Sequence, residues 1–220
     1  MKVCTDSCVF GSVIDPRNAE SILDIGTGTG LLALMLAQRT TANTSIDGIE
    51  LDEGAYLDAM ENVTNSPWKE KITIHLGNIN TWNHAAMYDA IICNPPFHIR
   101  STPSANPKEL AAFHADETLS FIDLTKAINR HAHDETQVWI LLPIQEMNEF
   151  ILIAEQQCLY MQESINIHHS SNEESIRTIC RFSKTKQEEI IYQTFSYRTY
   201  PSGPYTDEFI QAMSPYYLFL

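Results

Sequence analysis

The sequence predicts an α/β fold: a mainly parallel sheet with helices packed on both faces. Three observations carry that reading. Short β-prone apolar runs alternate with helical patterns along the chain, several runs are apolar at nearly every position, and a glycine-rich turn separates the first run from the first helix. A strand covered on both sides needs apolar residues in succession, as doubly covered parallel strands do. Strand, helix, strand repetition then implies right-handed crossovers and a doubly wound sheet.

The candidate strands are Ser21–Ile25, Ser45–Ile49, Lys71–Leu76, Tyr88–Cys93, Gln137–Leu142, Ser164–His168 and Ser175–Phe182. Leu31 to Gln38 is apolar nearly all round, which predicts a helix buried against the sheet. Phe121, Leu124, Thr125 and Ile128 form a one-face helical stripe, and Met147, Phe150, Ile151, Ala154 and Cys158 form another. The longest unpatterned stretch, Ile99–Ala115, contains Pro103 and Pro107, follows a strand end and reads as a substrate loop.

A length of 220 residues suits one domain, 1–220. No apolar run approaches the roughly 20 residues of a membrane helix. Met1 to Cys8 lacks the apolar core of a signal peptide, so a cytoplasmic protein with no membrane partner is expected. Cys4, Cys8, Cys93, Cys158 and Cys180 fit reduced thiols, and Cys4 with Cys8 read as small buried side chains because no second pair at ligand spacing follows. His131, His133, His168 and His169 fall near element ends, where solvated imidazoles are common, and none shows helical metal-ligand spacing. No metal is assigned. The formal charge of −14 opposes a nucleic-acid partner, because phosphate binding draws on Lys and Arg. Any such contact requires a local basic patch.

Ligands of open α/β sheets bind beyond the carboxyl ends of the strands. There the segment Leu23-Asp24-Ile25-Gly26-Thr27-Gly28-Thr29-Gly30 closes the first strand, and Glu50, followed by Leu51, ends the second. Glycines let a nucleoside approach backbone N–H groups, and an acid at the second strand end accepts hydrogen bonds from ribose hydroxyls. A dinucleotide fingerprint would place a small residue at position 31, where this chain has Leu31. Asp24, two residues before Gly26, would repel a pyrophosphate but could pair with an ammonium. Both features favour S-adenosylmethionine over a nicotinamide dinucleotide, with S-adenosylhomocysteine as product. After the third strand, Asn78 offers an amide suited to an adenine edge, although Gly77-Asn78 is also an ordinary turn sequence.

The fourth strand runs into Asn94-Pro95-Pro96-Phe97. An amine on a conjugated ring or an amide is a poor nucleophile because its lone pair is delocalised. The Asn94 side-chain oxygen and the Pro95 carbonyl could each accept one amine hydrogen, hold the nitrogen and stabilise positive charge as it develops. Pro95 and Pro96 fix φ and remove competing donors, and Phe97 could stack on the planar group. The amine sheds its proton after transfer, so no ionised general base is required.

With these residues the chain resembles class I, Rossmann-like methyltransferases of the Asn-Pro-Pro-aromatic group. It is most similar to the bacterial tRNA1(Val) adenine-N6 methyltransferase family. The likeness includes Met1-Lys2-Val3 with Thr5-Asp6, Leu23 to Thr40, Asn65-Ser66-Pro67-Trp68, Asn94 to Phe97 and the closing Tyr217-Leu218-Phe219-Leu220. It implies a seven-stranded sheet with the last strand antiparallel, a tRNA anticodon-loop adenine as substrate, and Thr5 and Asp6 near the cofactor's methionine end. Relatives usually carry a short basic and aromatic segment ahead of the position where this chain begins, and often Asp where it has Asn78. Arg177 and Arg181, on one strand face with Lys184 and Lys186 beyond, are the candidate basic patch, and Lys2, Arg100 and Lys108 are candidates to flank the pocket. A monomer is the favoured state. The rival readings are a protein glutamine-amide methyltransferase, which acidity favours, a dinucleotide-dependent oxidoreductase, and a non-catalytic cofactor-binding module.

Overall fold

The computed structural model describes residues 4–16, 18–95 and 119–218. Helix α1 (Thr5–Val13) leads into β1 (Ser21–Ile25), α2 (Leu31–Arg39), β2 (Ser45–Glu50), α3 (Glu53–Thr64), β3 (Ile72–Leu76) and β4 (Tyr88–Cys93). Helix α4 (Phe121–His131), β5 (Ala132–Leu142), α5 (Ile144–Gln156), β6 (Tyr160–Ser170), β7 (Ser175–Ser183), β8 (Ile191–Arg198) and α6 (Asp207–Met213) follow. The strands form one sheet in the order β3-β2-β1-β4-β5-β7-β6-β8. All neighbours pair in parallel except β7, which runs antiparallel to both β5 and β6.

The continuous apolar runs have the predicted cause. Along β5, Val138, Ile140 and Leu142 face one helical layer while Trp139 and Leu141 face the other. Helices α1, α2, α3 and α6 cover the first face through Phe10, Leu36, Ala59 and Phe209, and α4 and α5 cover the second through Leu124 and Phe150. Local chemistry sets the helix starts. Asp52 accepts from the Ala55 amide to open α3, Ser120 from the Asp123 amide to open α4, and Thr206 from the Phe209 amide to open α6. Helix α1 lies close on α2 because Gly11 has no side chain: a Cβ there would come within 2.7 Å of Met35 Sδ.

The sheet has eight strands rather than seven. The antiparallel strand is the last of the seven expected, and β8 adds parallel to β6 at the edge. Its first four residues are exposed and only Phe195 and Tyr197 are buried, so Gln193, Thr194, Ser196 and Arg198 hid it among loop-like residues. Other expectations also require correction. Cys158 lies beyond α5 with a positive φ of 56° and is exposed, outside the stripe assigned to it. Cys8 is buried but Cys4 is exposed. His131 is not solvated: it is 2% exposed, with Nδ1 3.2 Å from the Ala86 carbonyl, and burial lowers its pKa. Among the described residues no helix is long and apolar enough to cross a membrane, and no group of three His, Cys, Asp or Glu side chains could hold a metal ion.

Candidate active site

At the carboxyl ends of β1 to β4 lies a cavity of about 750 Å³. The glycine turn, Glu50, Leu51, Gly77 to Asn80, Cys93 to Pro95, Leu119, the α1 N-cap residue Cys4 and Ser7 of α1 line it. The turn is drawn to the neighbouring strand by its own backbone: the Gly26 and Thr27 amides both donate to the Ile49 carbonyl, at 2.9 and 3.1 Å. Gly26, Gly28 and Gly30 have φ of 70°, 59° and 79°, left-handed values that cost other residues roughly 1–2 kcal/mol each. Gly30 then opens α2, so the turn passes directly into a helix N-terminus beside the cavity.

Glu50 is fixed by three backbone donors. Its Oε2 accepts from the Gly28 amide at 2.8 Å, and its Oε1 accepts from the Leu51 and Asp52 amides at 2.9 Å each. A carboxylate has about four acceptor positions, so this arrangement holds the group rigidly and leaves capacity at Oε2 for a hydroxyl. Asn78 stands at the β3 end, where its Oδ1 accepts from the Asn80 amide at 2.9 Å. The turn therefore uses the acceptor, and the side-chain NH2 is the group left for an adenine edge.

Asp24 is placed differently from the expectation. It is fully buried beneath the turn and absent from the cavity wall, with Oδ2 accepting from the Thr27 hydroxyl at 2.6 Å and Oδ1 unpartnered. Burial pushes its carboxyl up to about 7, the Thr27 hydrogen bond partly opposing and the Glu50 charge adding to the rise. Asp24 thus braces the turn through Thr27, which itself lines the cavity. Burial also raises the Cys93 thiol well above its ordinary range, with the Asp24 and Glu50 charges adding to the effect. A thiol so held is no nucleophile.

Thr5 and Asp6 do not line the cavity. A helix turns about 100° per residue, so Asp6 points away from Ser7. It accepts from Arg177 Nε at 3.1 Å and from the Tyr197 hydroxyl at 2.8 Å, which ties α1 to β7 and β8. Asn80 and Leu119 are cavity residues that sequence reasoning missed, as are Cys4 at the helix N-cap and Ser7 three residues on. Helical spacing beside Thr5-Asp6 was the available signal.

Among the described residues, Asn94 supplies the one unpartnered buried side-chain polar atom whose residue lines the cavity. Its Nδ2 donates to Ser7 Oγ at 2.8 Å, while its Oδ1 is buried with no hydrogen-bond partner. A buried carbonyl left without a donor is costly, and such groups commonly await a ligand. Pro95 follows it on the cavity wall, whereas Pro96 and Phe97 lie outside the described residues, as do Ile99–Ala115, Lys2, Arg100 and Lys108.

Most of the remaining basic patch is tied up within the fold, Lys186 being the exposed exception. Arg177 pairs with Asp6, and Arg181, 7% exposed, pairs with Glu163 at 3.0 Å. Lys184 donates to the Asn129 and Ala132 carbonyls, and Lys186 lies 3.7 Å from Glu155. Strand pleating put Arg177 and Arg181 on one face, but that face meets carboxylates rather than solvent.

Comparison with known proteins places this arrangement in a family. Residues 2–119 match the family model for the methyltransferase small domain. The tRNA1(Val) (adenine(37)-N6)-methyltransferase of Pseudoalteromonas translucida is 34% identical over 218 residues, covering 99% of this chain and 92% of the relative. This chain belongs to the tRNA1(Val) (adenine(37)-N6)-methyltransferase family. The protein of that name from Dyadobacter fermentans is 38% identical over 186 residues, covering 84% of this chain and 77% of its own. Among solved structures, a predicted O-methyltransferase from Agrobacterium tumefaciens shares the fold with a TM-score of 0.74 at 15% identity, over 96% of both chains. A methyltransferase from Corynebacterium glutamicum does so at 0.55 and 16%, over 84% of this chain and 90% of its own. The chain is an S-adenosylmethionine-dependent N-methyltransferase, and the dinucleotide and non-catalytic readings fall away.

Proposed function

We propose that this single-domain protein methylates N6 of an adenine in the anticodon loop of a valine tRNA, in the cytoplasm, with the base extruded into the cavity at the strand ends. The unpartnered Oδ1 of Asn94 is the observation that carries the reading. The residues present fit the cofactor. Gly26 and Gly28 open the turn to close approach, Glu50 retains an acceptor for the ribose, and Leu51, Asn78 and Ile79 form a wall for the adenine ring. S-adenosylmethionine supplies an electrophilic methyl group on a sulfonium.

The chain contributes position and electrostatics. Asn94 Oδ1 and the Pro95 carbonyl accept the two hydrogens of the exocyclic amine, which directs its lone pair and stabilises charge on nitrogen. Extrusion exposes an N6 that a stacked base would hide. Phe97 is proposed to stack on it. The protonated N6 formed by methyl transfer is acidic enough to release its proton to water, and Glu50 on the same cavity wall is already held by three amides.

The test is direct. Undermodified tRNA is incubated with methyl-labelled S-adenosylmethionine and the protein, then digested to nucleosides. Label confined to N6-methyladenosine supports the reading. Label in a protein glutamine, with none in tRNA, transfers the activity to the rival substrate.

A further inference from the structure

We infer that Ser7, backed by Cys4, sets the polarity of the Asn94 amide and so keeps its carbonyl turned to the substrate amine. This inference rests on the proposed N-methylation. A side-chain amide carries an acceptor on one side and two donors on the other, and turning it over exchanges them. With the NH2 toward the substrate, Asn94 would oppose the amine hydrogens it must accept.

A lone hydroxyl does not decide between these orientations, because it donates or accepts equally well. In the structure the amide meets Ser7 through its NH2, so the hydroxyl acts there as an acceptor. Ser7 Oγ lies 3.0 Å from Cys4 Sγ and 2.8 Å from Asn94 Nδ2. Either atom of the Cys4–Ser7 contact can donate; with the sulfur accepting the hydroxyl hydrogen, Oγ presents only lone pairs to Asn94, the arrangement that matches the Nδ2 contact. Oδ1 is then the atom left unpartnered, as observed. Helix α1 holds Ser7 in place because Asp6 is bound to Arg177 and Tyr197 on its other side. Ser7 is thus a positioning residue that acts through Asn94 and need not touch the substrate.

The experiment compares variants in the tRNA assay, with cofactor affinity measured by calorimetry. Ser7→Ala is expected to lower turnover about tenfold, the scale of one lost orienting hydrogen bond, with cofactor affinity within about twofold of wild type. Ser7→Thr should retain turnover, while Ser7→Val, of the same shape without the hydroxyl, should match Ser7→Ala. The double variant Ser7→Ala/Asn94→Ala should be no slower than Asn94→Ala alone, because the serine acts through the amide. A readout independent of activity is the Asn94 side-chain NH2 resonance pair, assigned by its loss in Asn94→Ala. In Ser7→Ala it should shift and exchange faster with water. Full turnover in Ser7→Ala beside an inactive Asn94→Ala overturns the inference and leaves the proposed function standing. Equal loss of cofactor affinity in Ser7→Ala also overturns it. If the wild type methylates no tRNA, the proposed function fails, and unmoved amide resonances would separately remove the role of Ser7.

Discussion

Replacing Asp24 by asparagine should remove a specific pH dependence from folding stability. Asp24 is fully buried, one of its oxygens lacks a partner, and its carboxyl titrates at about 7 in the folded chain. In the unfolded chain an aspartate titrates near 4. The folded state therefore holds this proton more tightly, and the stabilisation it gives is complete below the unfolded value and is lost as pH rises through the folded one. Integrating the linkage relation from pH 5 to pH 8 gives a loss of roughly 2–3 kcal/mol from this group alone. His131 works the other way, since burial lowers its pKa and stability from it rises as the imidazole becomes neutral. Urea unfolding of wild type and Asp24→Asn at several pH values, without cofactor, isolates Asp24 by difference. The variant carries a constant penalty for its buried amide, but its stability relative to wild type should improve by roughly 2–3 kcal/mol between pH 5 and pH 8. Parallel curves for the two proteins would refute a neutral Asp24 beneath the turn.

Other substitutions test separate parts of the site. Glu50→Gln places an NH2 where three backbone amides now donate, so affinity for S-adenosylhomocysteine should fall tenfold or more by calorimetry, on the order of 1.5 kcal/mol. Asn78→Asp keeps one oxygen for the Asn80 turn and supplies a second acceptor for the adenine amino group, so cofactor affinity should rise roughly threefold to tenfold in the same assay. Lys184→Met removes the cation from the Asn129 and Ala132 carbonyls, and should lower the melting temperature by about 2–4 °C while tRNA affinity in a filter-binding assay stays within about twofold.

What the sequence made legible was local. The glycine turn, Glu50 at the next strand end and Asn94 at the end of β4 could all be placed because a strand tip followed by a turn is written in adjacent residues. Side-chain partners from distant segments were not. Asp6 was taken for a cofactor contact, yet its partners Arg177 and Tyr197 lie 171 and 191 positions away. The same blindness turned Arg181 and Lys184 into surface cations, because nothing near them in the chain shows that Glu163 or the end of α4 would claim them. Asp24 was recognised as special, but its depth beneath the turn depends on strand pleating and on Thr27, which one-dimensional spacing does not convey. Strand β8 escaped notice because an edge strand buries only part of one face, and its alternation is short.

The central claim is that the Asn94 carbonyl and its proline neighbour receive the hydrogens of a flipped-out amine. A crystal structure of the protein with S-adenosylhomocysteine and an adenine-bearing anticodon stem-loop tests it most directly. The account predicts N6 of the extruded adenine within hydrogen-bond distance, about 3 Å, of both Asn94 Oδ1 and the Pro95 carbonyl. An adenine bound outside the strand-end cavity, or an Asn94 amide presenting its NH2 to the base, would contradict it.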